Sequence, residues 1–267
     1  MTTPVSHPTP DEVYFFATNG YLVVENFLQS DHVVQLTECL KKAIACRRRL
    51  HANNAPHPGN INIEGPNTRI LHILEDDPLF RDLVDYPPVL SYVRGLLNEN
   101  PHFHASDAFW ETESEESKPG WHIDGYDGGY RSLRPHIPLL QLKIGYFLSD
   151  MSVPNQSNLT IVPGSHKTDF DPDPEQLQGF DTFPGAIQLC VPPGACVMFH
   201  NALWHTRGPF TRRGGQRIML YYAYEHPWMV ANPEHWSYSE AFYNGLSPEQ
   251  RRLFHGFVFD PPEDRWF

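Results

Sequence analysis

Long apolar runs are missing from this 267-residue sequence. Nowhere do eighteen apolar residues follow one another, so no segment is suited to cross a bilayer as a helix. Positive charge is also in short supply: 20 Lys and Arg stand against 32 Asp and Glu, for a formal net charge of -12. Such a chain repels nucleic-acid phosphates and anionic lipid at long range, so neither is expected as a partner. Cysteine is sparse and poorly spaced for metal or redox work, because Cys39, Cys46, Cys190 and Cys196 form no Cys-x-x-Cys and no zinc-knuckle pattern. Cys39 and Cys46, seven residues apart on a predicted helix, read as buried or half-buried thiols in a reducing compartment. The first ten residues have neither a basic start nor an apolar core, and the expected location is the cytoplasm. No internal repeat or low-complexity segment divides the chain, which reads as one domain.

What is there is mainly β with flanking helices. With 40% hydrophobic residues the chain can bury one substantial core. Asp11 suits the N-cap of a short helix through Thr18 that Gly20 ends, and Ser30 suits the cap of a longer helix from Asp31 to about Leu50. Residues 51–69, rich in Asn, Pro, Gly and His, read as a long loop, functional or mobile. Helical spacing returns over 79–97, broken by Pro87 and Pro88. From about residue 103 short β runs dominate, over Ile137 to Leu148, Ala186 to Val191, Cys196 to Phe199 and Ile218 to Tyr224. Short strands between Gly and Pro turns predict an antiparallel double-sheet jelly roll. Residues 1–100 are expected to support this core, 101–225 to form it, and 226–267 to add an aromatic extension. That extension, with Trp228, Trp236, Tyr238, Phe242 and Phe254 among others, carries too much apolar surface to leave in water and is expected to pack on the barrel as a lid or a dimer contact. Monomer and homodimer both remain open.

The chemistry gathers at His122-Ile123-Asp124, followed by His205 and Arg217. Residues i and i+2 of a strand share a face, so His122 and Asp124 can hold one ion while His205 approaches from another strand. Two imidazoles and a carboxylate, with three positions open, suit non-haem Fe(II) better than structural zinc. An open iron holds a bidentate cosubstrate and still binds O2. Arg217, at the start of a strand after the Gly214-Gly215 turn, suits the far carboxylate of a small dicarboxylate. With 15 His and 32 acidic residues in the chain, a bare His-x-Asp is weak by itself, and its neighbours carry the weight.

Those neighbours resemble the phytanoyl-CoA dioxygenase family of Fe(II)/2-oxoglutarate oxygenases. Asn19 to Leu28 is similar to the family's opening strand, Gly120 to Asp124 to its metal motif, and Asn158 to His166 to its Val-Pro-Gly-Ser-His stretch. Pro193-Gly194, Phe199-His200, His205 and Arg217 follow in order, and the resemblance covers roughly residues 10 to 225. It implies a double-stranded β-helix, cupin-like, with iron on His122, Asp124 and His205 and the far carboxylate of 2-oxoglutarate on Arg217. Relatives that halogenate lack the carboxylate ligand, so Asp124 favours hydroxylation of a small metabolite or natural-product intermediate, with succinate and CO2 as coproducts. The same residues would serve desaturation, epoxidation or rearrangement. Ala195 and Asn158 depart from the family pattern, and Arg213 is the substitute for Arg217. A non-catalytic cupin-like binding protein is the reading from a different class.

Beyond these residues, Lys143 and Gln141 share a strand face where the family often places cosubstrate contacts. Tyr146 and Trp204 are candidates to line the pocket. The loop from Gly125 to Arg134 offers Tyr126 and Arg131 to a substrate, the arginine to an anionic group. His102 and His104 form a rival i, i+2 pair but lack a placed carboxylate, His200 competes with His205, and Glu111 to Lys118 reads as a charged connection only.

Overall fold

Two faces of one sheet organise the molecule, whose computed structural model describes residues 7–57, 59–113, 118–125, 130–169, 171–229 and 238–254. The strands are β1 (Tyr21–Val24), β2 (Ile61–Glu64), β3 (Asn67–Leu71), β4 (His102–Thr112), β5 (Gln141–Phe147), β6 (Leu159–Ile161), β7 (Ile187–Gln188), β8 (Cys196–His200), β9 (His205–Arg207) and β10 (Gln216–Glu225). Seven of them form an antiparallel sheet in the order β1-β8-β5-β10-β4-β3-β2, and β7-β6-β9 form a smaller one facing it. This is the expected double-stranded β-helix with helices outside.

Side-chain alternation decides what each face does. Leu142, Ile144 and Tyr146 of β5, Ile218, Leu220, Tyr222 and Tyr224 of β10, and Cys196 and Met198 of β8 join one core with the helices. Their neighbours Phe147, Val197, Phe199 and Met219 turn the other way and pack with Leu159 and Ile161 of the small sheet. The helices on the outer face are α1 (Pro10–Asn19), α2 (Ser30–Ala52), α3 (Pro78–Asp82) and α4 (Pro87–Leu96). Tyr222 and Tyr224 reach through this core to donate hydrogen bonds to the carbonyls of Phe80 and Val84, at 2.7 and 2.8 Å.

Helix ends differ from expectation by a turn or less. Thr9, not Asp11, caps α1, because a capping box with Glu12 satisfies two N–H groups at once. Helix α2 starts at Ser30 itself, after a Gln29 cap that makes no side-chain bond. Pro78, Pro87 and Pro88 sit in first turns, where the missing N–H costs nothing. The expected loop over 51–69 is a larger correction: it contains β2 and most of β3, a hairpin turned at Gly65 and Pro66. In the C-terminal extension, α5 (Glu240–Asn244) and α6 (Pro248–Arg251) hold Tyr238, Phe242 and Phe254 against Phe103, in the outer core. That face points away from the metal motif. Trp236 and the residues after 254 lie outside the described residues.

Tyr146 needs correcting as a pocket residue. Parity places it opposite Lys143, in the outer core beside Phe27 and Tyr222. Its hydroxyl is buried with no hydrogen-bond partner among the described residues. Tyr146→Ala is expected to cost about 3–5 kcal/mol, whereas Tyr146→Phe, which removes only the unpartnered hydroxyl, should leave stability unchanged or raise it by up to about 1 kcal/mol. Urea unfolding of the two variants checks the opposite signs.

Candidate metal centre

Between β4 and β5 the chain passes Gly120 and comes alongside β9. There His122 and His205 exchange two backbone hydrogen bonds, each N–H to carbonyl at 3.0 Å. Directly opposed residues of such a pair turn their side chains to one face, and the ring centroids lie 4.2 Å apart. Asp124 follows on the same side, its N–H held by the Asn201 carbonyl at 2.8 Å. The turn after it needs glycine: Gly125 has φ +73°, and the Tyr130 ring lies 2.3 Å from where a Cβ would stand.

One atom from each of the three side chains lies within 4.8 Å of the others. His122 Nε2 is 4.0 Å from Asp124 Oδ1, and His205 Nε2 is 3.8 Å from Oδ2. Nδ1 of His122 bonds to the Gly120 carbonyl at 2.6 Å, and Nδ1 of His205 to the Leu203 carbonyl at 2.8 Å. A carbonyl only accepts, so each Nδ1 carries its proton and each Nε2 keeps a free lone pair, the tautomer a metal requires.

Oδ2 of Asp124 is buried and has no hydrogen-bond partner among the described residues. Such an oxygen costs about 1–3 kcal/mol unless something completes it, and a cation between the three residues does so. Burial raises the Asp124 pKa, but Lys143, with Nζ 3.6 Å from Oδ1, and the two histidines outweigh it and hold the carboxyl below its usual range. Burial, with His122 adjacent, drives His205 down to about 4. The donor set therefore fits a divalent ion with open positions.

The three residues face a cavity of about 540 Å³ between the sheets, walled also by Lys143, Phe109, Phe199, Tyr221 and Arg217. Arg217 is buried, donates from Nη1 to Glu111 Oε2 at 2.7 Å, and lies over the Phe109 ring at 4.8 Å. The other Glu111 oxygen accepts from Arg207 Nη1 at 3.2 Å. Burial alone would raise Glu111, yet the two guanidiniums outweigh it and keep it ionised. Arg213, the substitute anchor, is solvent-exposed and not part of the cavity wall.

The family model for phytanoyl-CoA dioxygenase (PhyH) matches residues 16–214. The chain belongs to the phytanoyl-CoA dioxygenase family. The match includes His122, Asp124 and His205 and stops three residues before Arg217. No curated protein matches the sequence. Among solved structures, HygX from Streptomyces hygroscopicus, with nickel, 2-oxoglutarate and hygromycin B bound, is 21% identical with a TM-score of 0.66, covering 83% of this chain and 89% of that one. EctD from S. alaskensis, with 2-oxoglutarate and 5-hydroxyectoine, is 21% identical with a TM-score of 0.65, covering 84% of this chain and 78% of that one. SnoK, a non-heme α-ketoglutarate-dependent carbocyclase from nogalamycin biosynthesis, is 18% identical with a TM-score of 0.58, covering 81% of this chain and 84% of that one. These likenesses show a shared fold.

In this family member the remaining sequence candidates divide. Lys143 reaches the centre, while Gln141, one step along the same face, bonds instead to the His104 ring at 3.1 Å and is not in the cavity wall. Trp204 turns away and packs with Trp121 and Phe183. Tyr126 and the Arg131 side chain lie outside the described residues. His102 and His104 do have a carboxylate after all: Glu225, supplied by β10, stands 3.2 and 2.6 Å from their Nδ1 atoms. Those are hydrogen bonds, and they hold Glu225 at about 2 against its burial. Glu111 was missed as a connection residue, though its i+2 relation to Phe109 in a β-rich run was a signal that it faces inward.

His200 settles as a structural residue. It packs on His166, with ring centroids 4.8 Å apart, and its Nδ1 accepts the Ala202 N–H at 2.9 Å, a bond that protonation would break. Burial and His166 push it down to about 3, where a free histidine titrates near 6.5. His200 and His205 therefore bind protons more readily in the unfolded chain, so the stability of the metal-free protein is full above about pH 6.5 and falls as pH drops toward 4. Thermal melts across that window should show the loss, and His200→Gln should shallow the slope by up to about 1.4 kcal/mol per pH unit.

Proposed function

We propose that the chain is an Fe(II)/2-oxoglutarate-dependent oxygenase that hydroxylates a small polar molecule and releases succinate and CO2. One observation carries this reading: two Nε2 lone pairs and an unpartnered carboxylate oxygen converge beside a cavity that also holds a buried guanidinium. His122, Asp124 and His205 would hold the metal on one side, leaving the opposite side to cosubstrate and O2. Arg217 would bind the far carboxylate of 2-oxoglutarate and so orient its reactive end. Lys143, within reach of Asp124, offsets the negative charge gathered there. The Phe109 and Phe199 rings exclude water from the interior wall. Iron with 2-oxoglutarate and O2, when bound, would supply the chemistry that converts a substrate C–H to C–OH, one oxygen atom going to the substrate and the other to succinate.

A polar substrate fits the outer wall, where β2 and β3 present Asn62, Glu64 and Asn67. Among the described residues the cavity wall is no concentrated basic groove suited to a CoA ester, because it carries five Lys and Arg with four Asp and Glu among them. HygX and EctD, seen with hygromycin B and 5-hydroxyectoine, fit the same expectation. Asp124, present where halogenating relatives have a small residue, supports hydroxylation. Protein loaded with Fe(II) without oxygen, then given 2-oxoglutarate, ascorbate, O2 and a metabolite panel, should form succinate. Asp124→Ala should lower the rate by more than about a hundredfold. If neither protein consumes or binds 2-oxoglutarate, the binding-protein reading replaces this one.

A further inference from the structure

One ion cluster in the cavity goes beyond the metal ligands and the Arg217 anchor. Glu111 on β4 stands between Arg217 on β10 and Arg207 on β9, giving one oxygen to each. Arg207 lies two residues beyond the ligand His205, so the cluster ties the small sheet to the large one at the cavity wall. In Arg217, Nη1 is engaged by Glu111, whereas Nε is buried with no hydrogen-bond partner among the described residues. The Tyr221 side chain also bears on this guanidinium, so Nε is the donor that another acceptor can take.

A second carboxylate arriving at that N–H would put two negative charges on one cation. That arrangement is balanced only if Glu111 has a cation of its own, and Arg207 is placed to be that cation. We propose that Arg207 is a charge-balancing residue for the cosubstrate seat: by neutralising Glu111, it leaves the charge of Arg217 available to the far carboxylate of a dicarboxylic 2-oxo acid. This rests on the oxygenase reading and adds a residue to it. Arg207 acts through Glu111 and Arg217, and is a positioning residue rather than a catalytic one. Its role is electrostatic, so it depends on the sum of charges in the cluster and not on the shape of any one side chain.

The test is calorimetric titration of Mn(II)-loaded protein, without oxygen, with 2-oxoglutarate and with 2-oxobutyrate, which has no far carboxylate. Arg207→Gln should weaken 2-oxoglutarate binding by about tenfold and leave 2-oxobutyrate unchanged. Arg207→Lys should retain most of the affinity. The double variant Arg207→Gln with Glu111→Gln removes one charge of each sign, and it should recover to within about threefold of wild type. Structural damage would not produce that recovery. The Arg207 side chain is 38% exposed, so the single variant should fold, and a thermal melt verifies it. Unchanged affinity in Arg207→Gln, or a double variant as weak as the single one, overturns the charge-balance role alone. Wild-type protein that binds neither acid sinks the oxygenase reading and this inference with it.

Discussion

The site depends on the reciprocal pair of backbone hydrogen bonds between His122 and His205. A metal centre of three protein ligands cannot be built by side chains with free backbones, because ordering each residue costs about 1–2 kcal/mol of entropy before the ion contributes anything. Here the pairing fixes both histidines at once, and the i+2 rule then places Asp124. The carbonyls of Gly120 and Leu203 set the tautomers. Asn201 closes the arrangement, since its carbonyl holds the Asp124 N–H and its side-chain oxygen accepts the N–H groups of Leu140 and Gln141 at the start of β5. Geometry is thus supplied by the backbone, and Asp124 Oδ2 is left without a hydrogen-bond partner among the described residues.

Charge follows a different logic inside the cavity than outside it. The chain as a whole carries a formal -12, yet the cavity wall has one more basic residue than acidic ones. Arg69 pairs with Asp107 across the hairpin side, and its guanidinium lies over the same Phe109 ring as that of Arg217. The inward face of β4, Asp107-Phe109-Glu111, therefore supplies a carboxylate on either side of a ring that both cations use. An anion is repelled by the molecule at long range while this wall offers it cations, which favours selection by fit over electrostatic steering.

The features that could be read in the sequence were those with a fixed period or a fixed order. His122 and Asp124 share a face because strands alternate, and His205 and Arg217 were found by their order along the chain. The same alternation, applied consistently, would have excluded Tyr146, which lies an odd number of residues from Lys143. The hairpin of β2 and β3 was hidden because Asn, Pro and Gly dominate its composition, although Ile61 and Ile63 alternate and Gly65-Pro66 marks the turn. Glu111 was passed over for another reason. Its partners Arg207 and Arg217 lie 96 and 106 residues away, Arg217 directly opposite on the neighbouring strand and Arg207 on the smaller sheet, and no local pattern announces pairings of that separation. Glu225, opposite His102 on the neighbouring strand, escaped notice because it lies more than a hundred residues along the chain from both histidines.

The two faces of the large sheet also explain how so polar a cavity is tolerated. Glu111, Arg217 and Asp124 lose hydration when they are enclosed, and ion pairing returns only part of that loss. The opposite face of the same strands offsets the remainder: Ile218, Leu220, Tyr222 and Tyr224 alternate with Arg217, Met219, Tyr221 and Ala223 along β10 and bury against the helices. Stability and chemistry are thereby assigned to alternate residues of one strand. A strand with both faces apolar would be more stable and would have no seat for an anion. A strand with both faces polar would have nothing to hold it in place. The outer helices, with the part of the extension that reaches Phe103, cover the apolar face and allow the inner one to remain charged.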